Sequence, residues 1–89
     1  MSAEEIRAKV VELAEAAKLG DKPVEDGTLL ELDLGLDWLD RMELVMEVEY
    51  ALGIEIETEE VDGMKTVGDL VKAAQEAVRR RGRTRRGGE

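Results

Sequence analysis

The 89-residue sequence contains no cysteine, no histidine and no phenylalanine, and only one proline, one tryptophan and one tyrosine. Without cysteine there is no disulfide, no thiolate metal site and no thiol nucleophile. Without histidine, the usual acid–base group near neutral pH is missing, as is the commonest metal ligand. Neither enzyme chemistry nor a metal site is therefore expected. With aromatics at 2% of residues, any core has to be aliphatic and methionine-based. Long apolar runs are absent as well. The first twenty residues mix charged and apolar positions without the apolar run of a signal peptide, and no stretch is long enough to span a bilayer. The expectation is a soluble, cytoplasmic, monomeric protein.

Apolar residues make up 43% of the chain, enough for one small folded domain and not for two. Charge is unevenly placed. Residues 79–89 hold six arginines against Glu89, a local +5, which leaves −14 on residues 1–78 out of the net −9. A body this acidic repels nucleic acid and anionic membranes and favours basic protein partners. The sequence thus divides into a domain over residues 1–78 and an Arg-rich tail over 79–89. The tail has no apolar residue and is expected to be disordered.

Ser2 and Glu5 have the spacing of a capping box, and Ile6, Val10, Leu13 and Ala17 follow at helical intervals, so a helix is predicted over about residues 3–18. Residues 20–36 read as a long connection broken at Gly20, Pro23 and Gly27, with Leu29, Leu30, Leu32 and Leu34 available to pin it to a core. A strand around "LLELDL" would have no partner. Asp37 is an N-cap for a second helix reaching Leu52 and closed by Gly53. A short helical turn follows Thr58. Thr66 and Asp69 then repeat the capping-box spacing before a last helix running to about residue 79. The predicted fold is all-α, with three main helices and one short one around a single core.

At 100° per residue the second helix sorts into faces. Leu44, Val48, Ala51 and Leu52 form a core stripe, while Asp40, Glu43 and Glu47 form an acidic ridge. Trp38, Leu39, Met42, Val45 and Met46 make a second apolar stripe. Two readings of that stripe stay open: a wide buried arc, or a docking surface in which methionines beside acids adapt to a partner.

The stretch Asp33-Leu34-Gly35, Asp37, Leu39-Asp40, followed by Glu43 to Met46, Gly53 to Ile56 and Thr66 to Asp69, resembles the acyl carrier proteins of fatty-acid and polyketide synthesis. The resemblance covers about half the chain densely and implies a four-helix bundle whose second helix docks on biosynthetic enzymes carrying basic patches. By that resemblance Asp37, Leu39, Asp40, Met42, Glu43, Met46 and Glu47 would face the partner. Leu44, Val48, Leu52, Ile56 and Met64 would line the space where an acyl chain is sequestered. Members of the family carry 4′-phosphopantetheine on a serine between the residues that match Asp37 and Leu39. Here that residue is Trp38, which has no hydroxyl, and the only serine is Ser2. As written, the chain is expected to carry no cofactor.

Two readings within that family follow, and one outside it. One is a pseudo-carrier that docks without an arm. The other is a genuine carrier whose serine has been replaced by Trp38. A third, of a different class, is an acidic bundle that holds a ligand or cation through Asp33, Asp37 and Asp40, although their spacing is not that of a calcium loop. The tryptophan itself is free to point outward, fill a cleft, or merely block modification. Tyr50 and Arg41 depart from the family pattern on the same helix.

Overall fold

In the computed structural model the chain forms four helices: α1 (Ala3–Ala17), α2 (Trp38–Leu52), α3 (Thr58–Gly63) and α4 (Val67–Gly88). The structure describes residues 1–88, with side chains through Arg81. No strand occurs among the described residues, and a lone antiparallel bridge joins Leu29 to Thr66. The all-α four-helix bundle expected from the sequence is what the chain adopts.

The helix starts follow the capping signals. Ser2 Oγ accepts the Glu5 N–H at 3.1 Å while the Glu5 carboxylate accepts the Ser2 N–H at 2.8 Å. At α4, Thr66 Oγ1 accepts the Asp69 N–H, and the Asp69 carboxylate accepts the N–H groups of both Lys65 and Thr66. These bonds satisfy donors that a helix start otherwise leaves without partners. They also hold the carboxyls of Glu5 and Asp69 below the ordinary carboxylate range, through backbone N–H groups first.

One core runs through the molecule, built from Ile6, Val10 and Ala14 of α1, Val48 and its neighbours on α2, and Val67, Leu70, Val71, Ala74 and Ala77 of α4. Helix α1 packs against both α2 and α4. Between α2 and α3 the chain is extended: Ile54 and Ile56 are buried, Glu55 and Glu57 are exposed, and the Ile56 N–H donates to the Glu49 carboxylate at 2.8 Å.

The connection after α1 is pinned by Leu30, Leu34 and Leu36, whereas Leu32, expected to help, is 80% exposed. The reason lies in the local geometry. The N–H groups of Asp33 and Gly35 donate to the carbonyls four residues back, at Leu29 and Glu31. Such a coil places residues four apart on one side, so Leu30 and Leu34 point inward together and Leu32 points away.

A second correction concerns the last helix, which continues past residue 79 to Gly88. Arg79 to Arg81, assigned to a disordered tail by sequence, are helical and engaged. Arg80 lies 3.8 Å from Glu60 of α3. The guanidinium of Arg81 donates to the carbonyls of Leu52 and Gly53 at 2.8 and 3.0 Å, so a cation sits at the negative end of α2. The side chains beyond Arg81, and Glu89 altogether, lie outside the described residues, and with them the remainder of that tail.

Gly53, with φ +65°, closes α2 in the left-handed region, and a Cβ there would lie 2.9 Å from Arg81 Nη1. Gly53→Ala is expected to lower stability by about 1–2 kcal/mol from backbone strain alone, and to evict the Arg81 clamp as well. Arg81→Ala alone costs about 1 kcal/mol, and adds little on top of Gly53→Ala; urea titration of the two single variants and the double variant checks the coupling. Acid dependence provides a separate check. Because the Asp69 carboxyl titrates below its unfolded value, its contribution is present at neutral pH and fades as pH falls through the carboxylate range, about 4 and below. Asp69→Asn should therefore lose stability at pH 7 and show a smaller further loss between pH 6 and 3 than the parent chain.

Candidate functional site

The site is built from the loop upward. Asp33 accepts the Leu29 N–H at 2.8 Å and lies 3.3 Å from Lys22, and its carboxyl is held low by that backbone donor first and by the lysine second. Leu34 and Leu36 are both buried, and Gly35 between them has φ +75° with the Leu19 side chain packed against it. The Leu19 N–H donates to the Leu34 carbonyl. This clasp delivers Asp37 in an extended conformation to the start of α2. The Asp37 carboxylate accepts the Asp40 N–H at 2.8 Å, and the Asp40 carboxylate accepts the Asp37 N–H at 3.3 Å. Asp33, Asp37 and Asp40 are thus each occupied with backbone groups, and no three acidic side chains among the described residues converge as metal ligands.

Trp38 is the first residue of α2 and is 54% exposed, so it does not fill a cleft. The second apolar stripe expected on this helix divides in the structure. Val45 is buried in the core and Met42 is partly buried against it, while Trp38, Leu39 and Met46 stand in solvent. Ala51, placed in the core stripe by the helical wheel, is exposed, and its place inside is taken by Val45. The reason is the direction of packing: α2 turns the arc of Leu44, Val45, Val48 and Leu52 toward α1 and α4, about 30° from the arc chosen by sequence at 100° per residue.

Glu43 and Glu47 are exposed one helical turn apart, and Asp37 is exposed at the start of the same helix. Asp40, Glu43 and Glu47 adjoin Ala16 and Ala17, at the end of α1. Arg41 leaves this face. Its guanidinium reaches back to the Met64 carbonyl at 3.4 Å, and its Nε is buried without a partner among the described residues. The five core positions Leu44, Val48, Leu52, Ile56 and Met64 are all buried and join α2 to the α3 segment.

Sequence reasoning treated Tyr50 only as a departure from a pattern. In the structure it is 91% exposed, in line with Leu39, Glu43 and Met46 on the outward face of α2. The signal was available in the spacing, since positions 39, 43, 46 and 50 recur at helical intervals.

Comparison with known proteins identifies the family. The family model described as "Phosphopantetheine attachment site" matches residues 7–74. An acyl carrier protein from Prochlorococcus marinus (strain MIT 9515) is 44% identical over 73 residues, which cover 81% of this chain and 91% of the relative. Among the described residues, no helix is long and apolar enough to cross a membrane. With the match running from α1 into the first part of α4, the chain belongs to the acyl carrier protein family.

Proposed function

We propose that this protein is a pseudo-carrier: it docks the acidic, partly apolar face of α2 on biosynthetic enzymes that have basic patches, and carries no phosphopantetheine arm at position 38. The observation that carries the proposal is Trp38 itself, exposed at the first turn of α2 inside an otherwise intact attachment motif. The family's arm is joined through a serine oxygen, and when present it supplies the thiol that holds an acyl group. An indole offers a single N–H donor and no hydroxyl. Among the other hydroxyls, Thr28 is buried, donating to the Pro23 carbonyl and accepting from the Glu25 N–H, and Thr66 caps α4. The residues around position 38 therefore do not fit covalent attachment of the arm.

Docking is supported by the exposed set Asp37, Leu39, Glu43, Met46 and Glu47, with Asp40 and Met42 at its edges. Carboxylates around a few apolar side chains steer a basic partner and then give it something to bury. Trp38 lies at the rim of this set, where a tryptophan buried by a partner contributes about 2 kcal/mol or more. The partners on this reading are proteins of fatty-acid or polyketide type pathways, met in the cytoplasm by a monomeric, non-enzymatic chain that binds neither nucleic acid nor membrane.

A second reading has its own support. The Asp37–Asp40 capping box is geometrically undisturbed by the tryptophan, as expected of a genuine carrier whose serine was exchanged. In that form Leu44, Val48, Leu52, Ile56 and Met64 would surround a sequestered acyl chain.

Intact-mass analysis after incubation with coenzyme A and a broad-specificity phosphopantetheinyl transferase tests the central claim. The unaltered chain should show no mass gain, and Trp38→Ser should gain one phosphopantetheine. A gain on the unaltered chain would overturn the proposal. Docking is checked against a carrier-dependent synthase. Trp38→Ala should weaken the complex about 30-fold, the equivalent of about 2 kcal/mol, and raising salt from 0.15 to 0.5 M should weaken it further. Unchanged affinity in both tests would remove the docking claim.

A further inference from the structure

Helix α4 has two faces of opposite chemistry. Val67, Leu70, Val71, Ala74 and Ala77 are buried against the bundle, while Lys72, Glu76 and Arg79 on the far side are exposed. At 100° per residue, positions 72, 79, 83 and 86 fall within about 60° of one another on that far side. They hold Lys72, Arg79, Arg83 and Arg86, all basic. The helix spreads these positions over about 21 Å of its length. We propose that this outer face of α4 is a docking strip for an acidic helix of a partner protein. The strip is separate from the surface assigned to docking on α2 and uses none of its residues. The family match ends at residue 74, so Arg79, Arg83 and Arg86 lie beyond the part of the chain that it covers.

Anchoring and charge support this occupant. Arg80 and Arg81 meet Glu60 and the carbonyls of Leu52 and Gly53, and so fasten α4 to the bundle just after Ala77, its last buried residue. On the outer face Arg79 pairs with Glu76 at 3.3 Å, and both side chains are at least half exposed. An exposed pair of this kind is weak and yields to a better partner. No acidic residue follows Glu76 until Glu89. Positions 79, 83 and 86 are four and three residues apart, where like charges on one helix face repel. Carboxylates at the same spacings on a second helix offset that repulsion, and each can take a guanidinium through two hydrogen bonds. The rest of the chain favours a protein over a nucleic acid or an anionic membrane. Those anions extend past the strip toward residues 1–78, which carry −14. Salt screens that repulsion only in part, the Debye length being about 8 Å under physiological conditions. A short acidic helix touches the strip alone.

The test uses the full, isotope-labelled chain at about 0.15 M salt. Its probes are a glutamate–alanine helical peptide, a glutamate–glycine peptide of equal length and charge, a short DNA duplex, and phosphatidylglycerol vesicles. The glutamate–alanine helix should shift the amide signals of residues 76–86 saturably. The glutamate–glycine peptide should bind about fivefold more weakly, because its backbone has to be ordered first. Replacing Arg79→Gln, Arg83→Gln and Arg86→Gln together should weaken the helix about tenfold, through the loss of three exposed charge pairs. Glu76→Gln removes the acid within the strip and should tighten binding about twofold. Glu76 is exposed, so this variant does not threaten folding and keeps the test decisive if the triple variant frays. Leu32→Ser, in the loop, should change nothing. Undiminished binding by the triple variant, no tightening by Glu76→Gln, equal binding of the two peptides, or no binding of either would overturn the strip. Tighter binding of the duplex or the vesicles than of the glutamate–alanine helix would overturn the choice of partner.

Discussion

Leu34 and Leu36 are buried two residues apart on either side of a left-handed glycine, and that short tether decides where α2 begins. Leu30 is buried one turn earlier, and the Asp33 carboxylate locks the coil by accepting the Leu29 N–H. Burying each leucine is worth about 2 kcal/mol, so the segment has little freedom to shift. Asp37 is thereby fixed as the cap, the next residue is fixed as the first of the helix, and its side chain is fixed in solvent. Whatever occupies position 38 is presented outward by packing that it does not itself contribute to.

The same economy shapes the surface of α2. Its inner arc of Leu44, Val45, Val48 and Leu52 meets α1 and α4, which leaves an outer arc with no neighbour in the bundle. That outer arc is where leucine, methionine and tyrosine stand among glutamates. Single exposed apolar residues are ordinary on a protein surface. A row at helical spacing, edged by carboxylates to which no described basic side chain is paired, is less so. Arg41, the only cation on α2, is drawn away to the Met64 carbonyl, and the outer arc keeps its uniform sign.

Much of this was legible in the sequence. The capping boxes at Ser2 and Thr66 and the N-cap at Asp37 are local in origin, and each one marks a true helix start. The closing glycine at position 53 was readable for the same reason. What escaped depended on contacts between distant segments. The inward turn of Val45 rather than Ala51 is set by where α1 and α4 lie, which a single-helix wheel does not contain. The exposure of Leu32 follows from a coil that has the four-residue period of a helix in a stretch that alternates like a strand. Arg80 and Arg81 looked like the start of a charged tail because their partners, Glu60 and the α2 carbonyls, are at least twenty residues away in sequence. The outward position of Trp38 was undecidable from its own segment, since its neighbours at i+4 and i+7 include one partly buried and one buried side chain.

The attachment motif also has a different meaning once its contacts are known. Asp33 holds the loop, Leu34 fills the core, Gly35 supplies the left-handed turn, and Asp37 and Asp40 cap α2. Losing a cap such as Asp37 costs about 1 kcal/mol, so folding alone is reason enough for these residues to stand where they do. Their presence is compatible with either a working or an abandoned attachment site. Leu39 is different. It is 59% exposed, makes no cap, and contributes nothing to the core. A leucine at that place gains its hydrophobic free energy only when something covers it. Of all the motif residues, Leu39 is the one whose presence folding does not explain, and it lies directly beside Trp38 on the face that a partner would bury.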